Sequence, residues 1–386
     1  MIKSPRILHI TTGLGLGGAE KILFDLAQHQ ASKGFLAAVV SLNAGGYYGP
    51  LLQNNGVRLI EIPFIDSNRG IVWHIFNLAT TTYLLIKVLR QLRPNLVHTW
   101  MYPADIFGGI VSRLFGIPVV WGIFTGHTNS KYYKPRTFFL FKLCILFSKF
   151  IPSQIVSCSA FGRHSHSLVG YDLNRIRYIP SGFDIPTRST RSTLFASSNT
   201  NTKNNRPCTI GMLGRFTKEK DHFLLLEAVA ILKRKGHQLN LLLAGSTGID
   251  HHNSTLTEFI EQHGLKSNTT LMSSVPNIHT LFSKLDVFSL ISSSEGFPTV
   301  VGEAMAYGLP CIVSNVGDSK ILLNDPKQLV SVGHLSELVH AIESMINISE
   351  SNRISIGERN SERITQHFTK TTMVNRYLAL YKYSLK

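Results

Sequence analysis

At 386 residues the chain exceeds one ordinary hydrophobic core and suits two domains of roughly 150–200 residues each. A hydrophobic content of 44% excludes a disordered chain. The 39 Lys and Arg against 23 Asp and Glu leave a net charge of +16. An anionic partner follows: nucleic acid, a membrane surface or a phosphorylated substrate. Cys144, Cys158, Cys208 and Cys311 lie far apart, with neither metal-ligand nor CxxC spacing. They read as small buried apolar residues of a reduced compartment.

The first segment, Ile7 to Thr12, has the apolar character of a strand. It is too short, and too soon interrupted by glycines, to be a signal peptide. It ends at Gly13, and a helix-period segment at Ala19–Lys33 and a strand at Leu36–Leu42 follow. Further strands fit Leu96–Thr99, Val119–Phe124 and Ile155–Cys158. The apolar runs Ile71–Leu89 and Phe138–Ile151 are, respectively, broken by polar residues and too short to span a bilayer. A Ser/Thr/Asn-rich stretch, 187–206, reads as a linker. The pattern then restarts with a strand at Thr209–Leu213 ending in Gly214, a helix at Asp221–Lys235 and a strand at Leu239–Ala244. Val287–Ile291 and Cys311–Ser314 complete the strands. Strands alternating with helices, twice over, predict an α/β chain of two Rossmann-like domains facing a cleft. The expected division is 1–186, a linker at 187–206, a second domain at 207–368 and a C-terminal helix at 369–386 returning to the first domain. The charge is uneven. Residues 1–186 carry 18 basic and 7 acidic side chains, and residues 207–386 carry 17 and 16.

Three motifs carry chemistry. Gly13-Leu14-Gly15-Leu16-Gly17-Gly18 contains GxGxxG between a strand and a helix. The next strand ends Val40-Ser41-Leu42-Asn43, without the acid a ribose-reading dinucleotide site requires, so a nicotinamide dehydrogenase is disfavoured. The glycines still allow close backbone approach at a helix start, an anion site, or they form merely a tight turn. Gly214-Arg215 closes a strand and Lys220 follows five residues on. An Arg and a Lys converging at a strand end would clamp a diphosphate, the alternative being a solvated loop. The third motif runs from Ser292 to Pro310, SSSEGFPTVVGEAMAYGLP, with Glu295 and Glu303 eight residues apart around a helix start at Pro298. Amides near Gly296 and Phe297 would face a phosphate, and carboxylates suit sugar hydroxyls.

With EAMAYGLP behind it, this E-x7-E element resembles the signature of the retaining family-4 glycosyltransferases of the two-domain GT-B type. GLGLGGAE at Gly13–Glu20, VHTW at Val97–Trp100, TGH at Thr125–His127, IPSGFD at Ile179–Asp184 and GRFTKEK at Gly214–Lys220 are similar to the family's other motifs. The resemblance spans nearly the whole chain. It implies a nucleotide-sugar donor bound mainly by the second domain, an acceptor bound by the first, retention of configuration and no metal. Residue by residue, it implies that Arg215 and Lys220 neutralise the leaving diphosphate and that Glu303 holds the ribose. Glu295 then contacts the donor sugar, and the amides of Gly296 and Phe297 line the sugar–phosphate pocket. Gly17 and Gly18 approach the diphosphate, with Gly214 at the strand end, and His127 lies near the transferring sugar.

Departures occur at Ser181, where the family often has Asn, and at Gly245-Ser246-Thr247-Gly248, where its loop is commonly acidic. No Asp-x-Asp occurs, and the pairs His164/His166 and His251/His252 read as surface histidines, not metal ligands. No cofactor is expected, the nucleotide-sugar being a substrate. The expected transferred group, as the resemblance implies, is a hexosyl or N-acetylhexosaminyl unit. The expected acceptor is a glycan or lipid-linked glycan at the cytoplasmic face of the cell membrane. Docking there falls to the basic, apolar segment 131–150, through Lys131, Lys134, Arg136, Lys142 and Lys149. The alternatives are a sugar-nucleotide epimerase or hydrolase of the same fold, a catalytically silent subunit, and a nucleic-acid-binding protein. The last is disfavoured because no nucleic-acid module is present.

Overall fold

The computed structural model describes residues 5–62, 71–186, 206–273, 275 and 277–385. The 187–205 part of the expected linker, and residues 1–4, lie outside the described residues. The chain divides into two compact units, Met1–Gly182 with Lys370–Lys386, and Phe183–Thr369.

In the first unit the order is β1 (Ile7–Thr11), α1 (Gly18–Ser32), β2 (Ala37–Ser41), α2 (Tyr48–Asn54), β3 (Arg58–Glu61) and α3 (Ile71–Leu92). It continues with β4 (Leu96–Trp100), α4 (Tyr102–Leu114), β5 (Val119–Ile123), α5 (Pro135–Phe147), β6 (Gln154–Ser157), α6 (Ala160–Leu168) and β7 (Ile176–Tyr178). The second unit holds β8 (Cys208–Leu213), α7 (His222–Arg234), β9 (Leu239–Ala244), α8 (Ser254–Gln262), β10 (Thr269–Met272), α9 (Ile278–Phe282) and β11 (Val287–Leu290). After it come α10 (Thr299–Ala306), β12 (Cys311–Ser314), α11 (Ser319–Leu323), β13 (Leu329–Val330), α12 (Leu335–Asn347) and α13 (Glu350–His367). The last helix, α14 (Lys370–Ser384), belongs to the first unit.

Both sheets are parallel, in the orders β3-β2-β1-β4-β5-β6-β7 and β10-β9-β8-β11-β12-β13. The central strands β1, β2, β4 and β5 are buried along their whole length, as a sheet covered on both faces requires. The strands absent from the expected set, β3, β7, β10 and β13, are the four sheet edges. Arg58–Glu61 has two half-buried residues between exposed ends and Leu329–Val330 is two residues long, so neither carries the apolar run that marks an interior strand. Leu85, Val88 and Leu89 of α3 and Ala104 and Val111 of α4 pack on β1, β2 and β4 to form one core cluster. A neighbouring cluster sets Trp121 of β5 against Phe141 and Cys144 of α5.

A buried polar chain fastens α14 to the first sheet. The Tyr381 hydroxyl and His98 Nδ1 are 2.6 Å apart. Trp100 Nε1 donates to His9 Nδ1 at 3.2 Å. Because an indole nitrogen only donates, His9 carries its proton on Nε2, which faces Gln30 Oε1 at 2.9 Å. Burial pushes the His9 pKa down to about 4 and that of His98 well below its ordinary value, so both rings are neutral. Lys370 adds an ion pair to Asp25 at 2.9 Å, and Lys21 pairs with the same carboxylate.

The unit boundary falls at Gly182, four residues before the expected 186. Phe183 donates its backbone N–H to Phe368 O at 2.9 Å and its ring stacks on Phe297, so these residues pack with the second unit. Two expectations on single residues are corrected. His166 is not a surface histidine but fully buried, because it fills a slot between Tyr102 and the first turn of α6. Cys208 is half-buried, at the start of β8 beside Arg206 and Asp286.

Candidate functional site

In the second unit the expected residues gather at the carboxyl ends of β8 and β11, where parallel sheets place ligands. Gly214 donates its N–H to Ala244 O at 2.9 Å, which ties the end of β8 to that of β9. A Cβ on Gly245 would meet Gly214 O at 2.0 Å, so only glycine lets the 245–248 loop lie against Gly214. The chain then runs through exposed Arg215, a 3-10 turn at Lys218–Lys220 and Asp221, whose carboxylate caps α7 by accepting from Leu224 N. Ser293 N donates to Glu219 O at 2.8 Å, joining this turn to the loop after β11. The same juxtaposition sets Lys220 Nζ in contact with Glu295 Oε1 as a salt bridge. The two groups are 21% and 12% exposed, so the pair is shielded yet open on one side.

Past Glu295, the Gly296 carbonyl accepts from Asp318 N at 2.9 Å. Gly317, at φ +58°, comes so close that a Cβ there would meet the Glu295 and Gly296 carbonyl oxygens at 2.5 Å. Phe297 is buried. Pro298 caps α10 rather than opening its first turn, and Glu303 lies half-buried on that helix. Burial, then the carboxylates of Glu303 and Asp184, push the Tyr307 hydroxyl up to about 12. His222, which opens α7 directly after the Lys220–Asp221 turn, escaped the sequence reading. It is buried, neither ring nitrogen has a hydrogen-bond partner among the described residues, and its ring lies 5.5 Å from that of Phe216. Burial and the Lys220 charge lower its pKa to about 4.

In the first unit Gly17 is the N-cap of α1 and Gly18 its first residue. The glycine loop is held by Tyr48 N, which donates to Leu14 O at 2.9 Å. His127 follows β5 in a loop whose backbone is fixed by three side chains. His127 N donates to Thr125 Oγ1 at 3.1 Å, Ser165 Oγ donates to Gly126 O at 2.8 Å, and Tyr133 Oη donates to His127 O at 2.6 Å. Behind them, His166 Nδ1 donates to Gly162 O, leaving Nε2 to accept from the Tyr102 hydroxyl at 2.8 Å. Burial lowers the His166 pKa to about 4. The Tyr133 and Ser165 contacts carry no sequence signal, since their partners are backbone atoms of another segment.

The basic segment forms a 3-10 turn at Ser130–Tyr132 followed by α5. Lys131, Lys134, Arg136, Lys142 and Lys149 are all exposed, and so are Phe139, Leu146 and Phe150, the last at 68%. Among the described residues no helix is long and apolar enough to cross a membrane. Nor does any group of three or more His, Cys, Asp or Glu there stand close enough to hold a metal ion.

Comparison with known proteins matches residues 16–186 to the family described as Glycosyltransferase Family 4 and residues 195–362 to Glycosyl transferases group 1. The chain is 26% identical over 331 residues to EpsF of Bacillus subtilis (strain 168), named as a glycosyltransferase, covering 82% of this chain and 80% of that one. It is 22% identical over 345 residues to UDP-Gal:alpha-D-GlcNAc-diphosphoundecaprenol alpha-1,3-galactosyltransferase of Escherichia coli, covering 86% of each. Among solved structures, Anabaena HepE in complex with UDP-glucose superposes with a TM-score of 0.80 at 19% identity, covering 98% of this chain and 99% of that one. With motifs, parallel sheets and both family matches in agreement, the chain belongs to the family-4 glycosyltransferases and has their GT-B fold.

Proposed function

We propose that the enzyme is a retaining transferase of polysaccharide biosynthesis that moves a hexosyl or N-acetylhexosaminyl unit from a nucleotide-sugar to a lipid-linked glycan. The observation that carries the reading is the Lys220–Glu295 contact, with exposed Arg215 on the same strand end and Glu303 on the helix that follows. As the bond from the anomeric carbon to the phosphate oxygen breaks, negative charge collects on the diphosphate. Arg215 and Lys220 meet that charge, and Gly214 leaves the strand end open to it. Glu303 accepts hydrogen bonds from the ribose and Glu295 from the donor sugar, while the Gly296 and Phe297 amides face the sugar–phosphate oxygens. In the first unit, Gly17 and Gly18 offer bare backbone at the start of α1 for a phosphate, and His127 offers an imidazole for a sugar. The acceptor hydroxyl oxygen bonds to the anomeric carbon on the face the diphosphate leaves, and its proton departs to the leaving phosphate oxygen. Two cations at the diphosphate make a divalent ion redundant there. Support for the donor class comes from HepE, whose structures carry UDP and UDP-glucose. Support for a lipid-linked acceptor comes from the E. coli relative, named for a diphosphoundecaprenol substrate.

We further propose that the basic segment is the membrane face and that the enzyme works at the cytoplasmic side of the cell membrane. Each Lys or Arg near an anionic surface contributes about 1 kcal/mol, and burying Phe139 or Phe150 adds roughly 1.5–3 kcal/mol. A donor screen with and without acceptor tests the central reading. A glycosylated product with retained configuration, formed in the presence of chelator, is expected. Hydrolysis or epimerisation of the donor regardless of acceptor would overturn the transfer, and activity restored only by magnesium or manganese would overturn metal independence. Replacing Lys131, Lys134 and Arg136 by Glu should release the protein from anionic vesicles and leave donor binding unchanged. Undiminished sedimentation with the vesicles at low salt would exclude this segment as the membrane face.

A further inference from the structure

Helix α10 carries a glycine, Gly302, immediately before Glu303. Glycine inside a helix is a poorer helix former than alanine, so an eight-residue helix that keeps one calls for a steric reason. The reason is Phe183. A Cβ on Gly302 would meet Phe183 Cζ at 2.0 Å, Cε2 at 2.4 Å and Cε1 at 2.6 Å. The tip of the phenyl ring therefore sits in the notch that the missing side chain leaves. The same ring stacks on Phe297, with centroids 6.2 Å apart and planes inclined by 18°. Phe297 in turn lies 6.0 Å from Phe368. The backbone of Phe183 is fixed independently, by its N–H to Phe368 O at 2.9 Å and by a bridge to Thr369. One ring thus touches both ends of the Glu295–Glu303 element: the turn that enters α10 and the helix turn that presents Glu303.

We propose that Phe183 is a positioning residue of the donor site, a wedge that holds the Phe297 turn and the Glu303 helix turn in the register that reads a nucleotide-sugar. The proposal rests on the reading of Glu303 and the Gly296–Phe297 amides as donor contacts, and it assigns their alignment to a residue 119 positions before Gly302 in the chain. On this assignment Phe183 needs no contact of its own with the nucleotide-sugar. Its action runs through Gly302 and Phe297.

The test combines size exchange with binding. UDP, GDP, ADP and dTDP are offered to the wild-type protein, and the one that raises its melting temperature is carried forward for calorimetry. Phe183→Leu and Phe183→Ala should weaken that nucleoside diphosphate and raise the donor KM by about ten- to a hundredfold, as small misplacements of binding groups do. The acceptor KM should stay within twofold. Gly302→Ala alone should weaken nucleotide binding at least as much, because its methyl collides with the ring. Phe183→Ala with Gly302→Ala should recover at least tenfold of that loss, the methyl entering the space the ring vacates. If Phe183→Leu lowers the melting temperature but leaves nucleotide binding and donor KM within twofold, Phe183 is only a core residue and the proposal fails. It fails equally if the double variant binds no better than Gly302→Ala. Glu303→Gln separates the two layers. Normal nucleotide binding by Glu303→Gln together with impaired binding by Phe183→Leu removes the role of Glu303 and leaves the wedge acting on the Phe297 turn. Impaired Glu303→Gln with normal Phe183→Leu removes the wedge.

Discussion

Replacing Glu295 by Gln should tighten the binding of a nucleoside diphosphate while it slows transfer, an unusual pairing of effects for an active-site residue. In the structure Lys220 is already engaged by Glu295. A diphosphate that recruits the ammonium must share it with, or take it from, that carboxylate. Two unit charges 4 Å apart interact by about 4 kcal/mol at an effective dielectric constant of 20. With the two groups 21% and 12% exposed, solvent and side-chain entropy reduce the recoverable part to about 1–2 kcal/mol. Removing the carboxylate's charge should thus raise nucleoside diphosphate affinity by roughly five- to thirtyfold. Turnover should fall by about 10²–10³, the usual cost of losing a preorganised polar group at the reacting centre. Lys220→Ala should weaken the same ligand by about a hundredfold, since the diphosphate loses a cation and faces an unpaired carboxylate. Adding Glu295→Gln to Lys220→Ala should restore part of that loss. Titration calorimetry with the nucleoside diphosphate at two salt concentrations, beside initial rates with donor and acceptor, measures each quantity. If Glu295→Gln weakens nucleotide binding as much as Lys220→Ala does, the carboxylate is a ligand of the nucleotide and does not compete with the diphosphate for Lys220.

Other outcomes follow from the first unit. Tyr133→Phe keeps the ring packed against Phe141 but removes the hydroxyl that holds His127 O; kcat should drop about tenfold, a fraction of what a misplaced group costs, and the same change made in a His127→Ala background should cost nothing further. An equal drop in both backgrounds would show that Tyr133 does not act through His127. Tyr381→Phe leaves buried His98 without its hydroxyl partner, which should cost about 1–3 kcal/mol and lower the unfolding temperature of this unit by roughly 2–12 °C; a shift under 1 °C by scanning calorimetry would count against the bond. Stability should fall as the pH drops from about 6.5 towards 4. His9 and His166 stay neutral in the fold, with pKa values of about 4, yet take up protons near 6.5 when unfolded. The unfolded state binds more protons in that window, so each contributes about 1.4 kcal/mol per pH unit. His166→Gln should flatten the slope of denaturation free energy against pH, and an unchanged slope would refute its share.

Much of this molecule is local, and what is local was readable. Every interior strand, from Ile7–Thr11 to Cys311–Ser314, announces itself as a mostly apolar run ending at a glycine or polar turn, because a strand covered on both faces has few polar positions to offer. Glu295 and Glu303 are bound to one loop-helix element by spacing alone. The glycines at 13–18 and 214 likewise mark strand ends without reference to anything distant. Edge strands escaped for the converse reason: Arg58–Glu61 and Ile176–Tyr178 meet water along one side and mix polar with apolar residues. Partners far apart in sequence were decided by packing. Lys220 and Glu295 are 75 residues apart, Tyr381 and His98 are 283 apart, and nothing in either neighbourhood names the other. His166 looked like a surface residue because a helix of polar character, AFGRHSHSL, does not reveal which of its faces a tyrosine from another helix will cover. Nothing local calls for a glycine at 302; the Phe183 ring, 119 residues earlier in the chain, is what fills the notch it leaves. Periodicity reports the face a residue takes about its own axis; only the assembled sheets and helices determine what stands against that face.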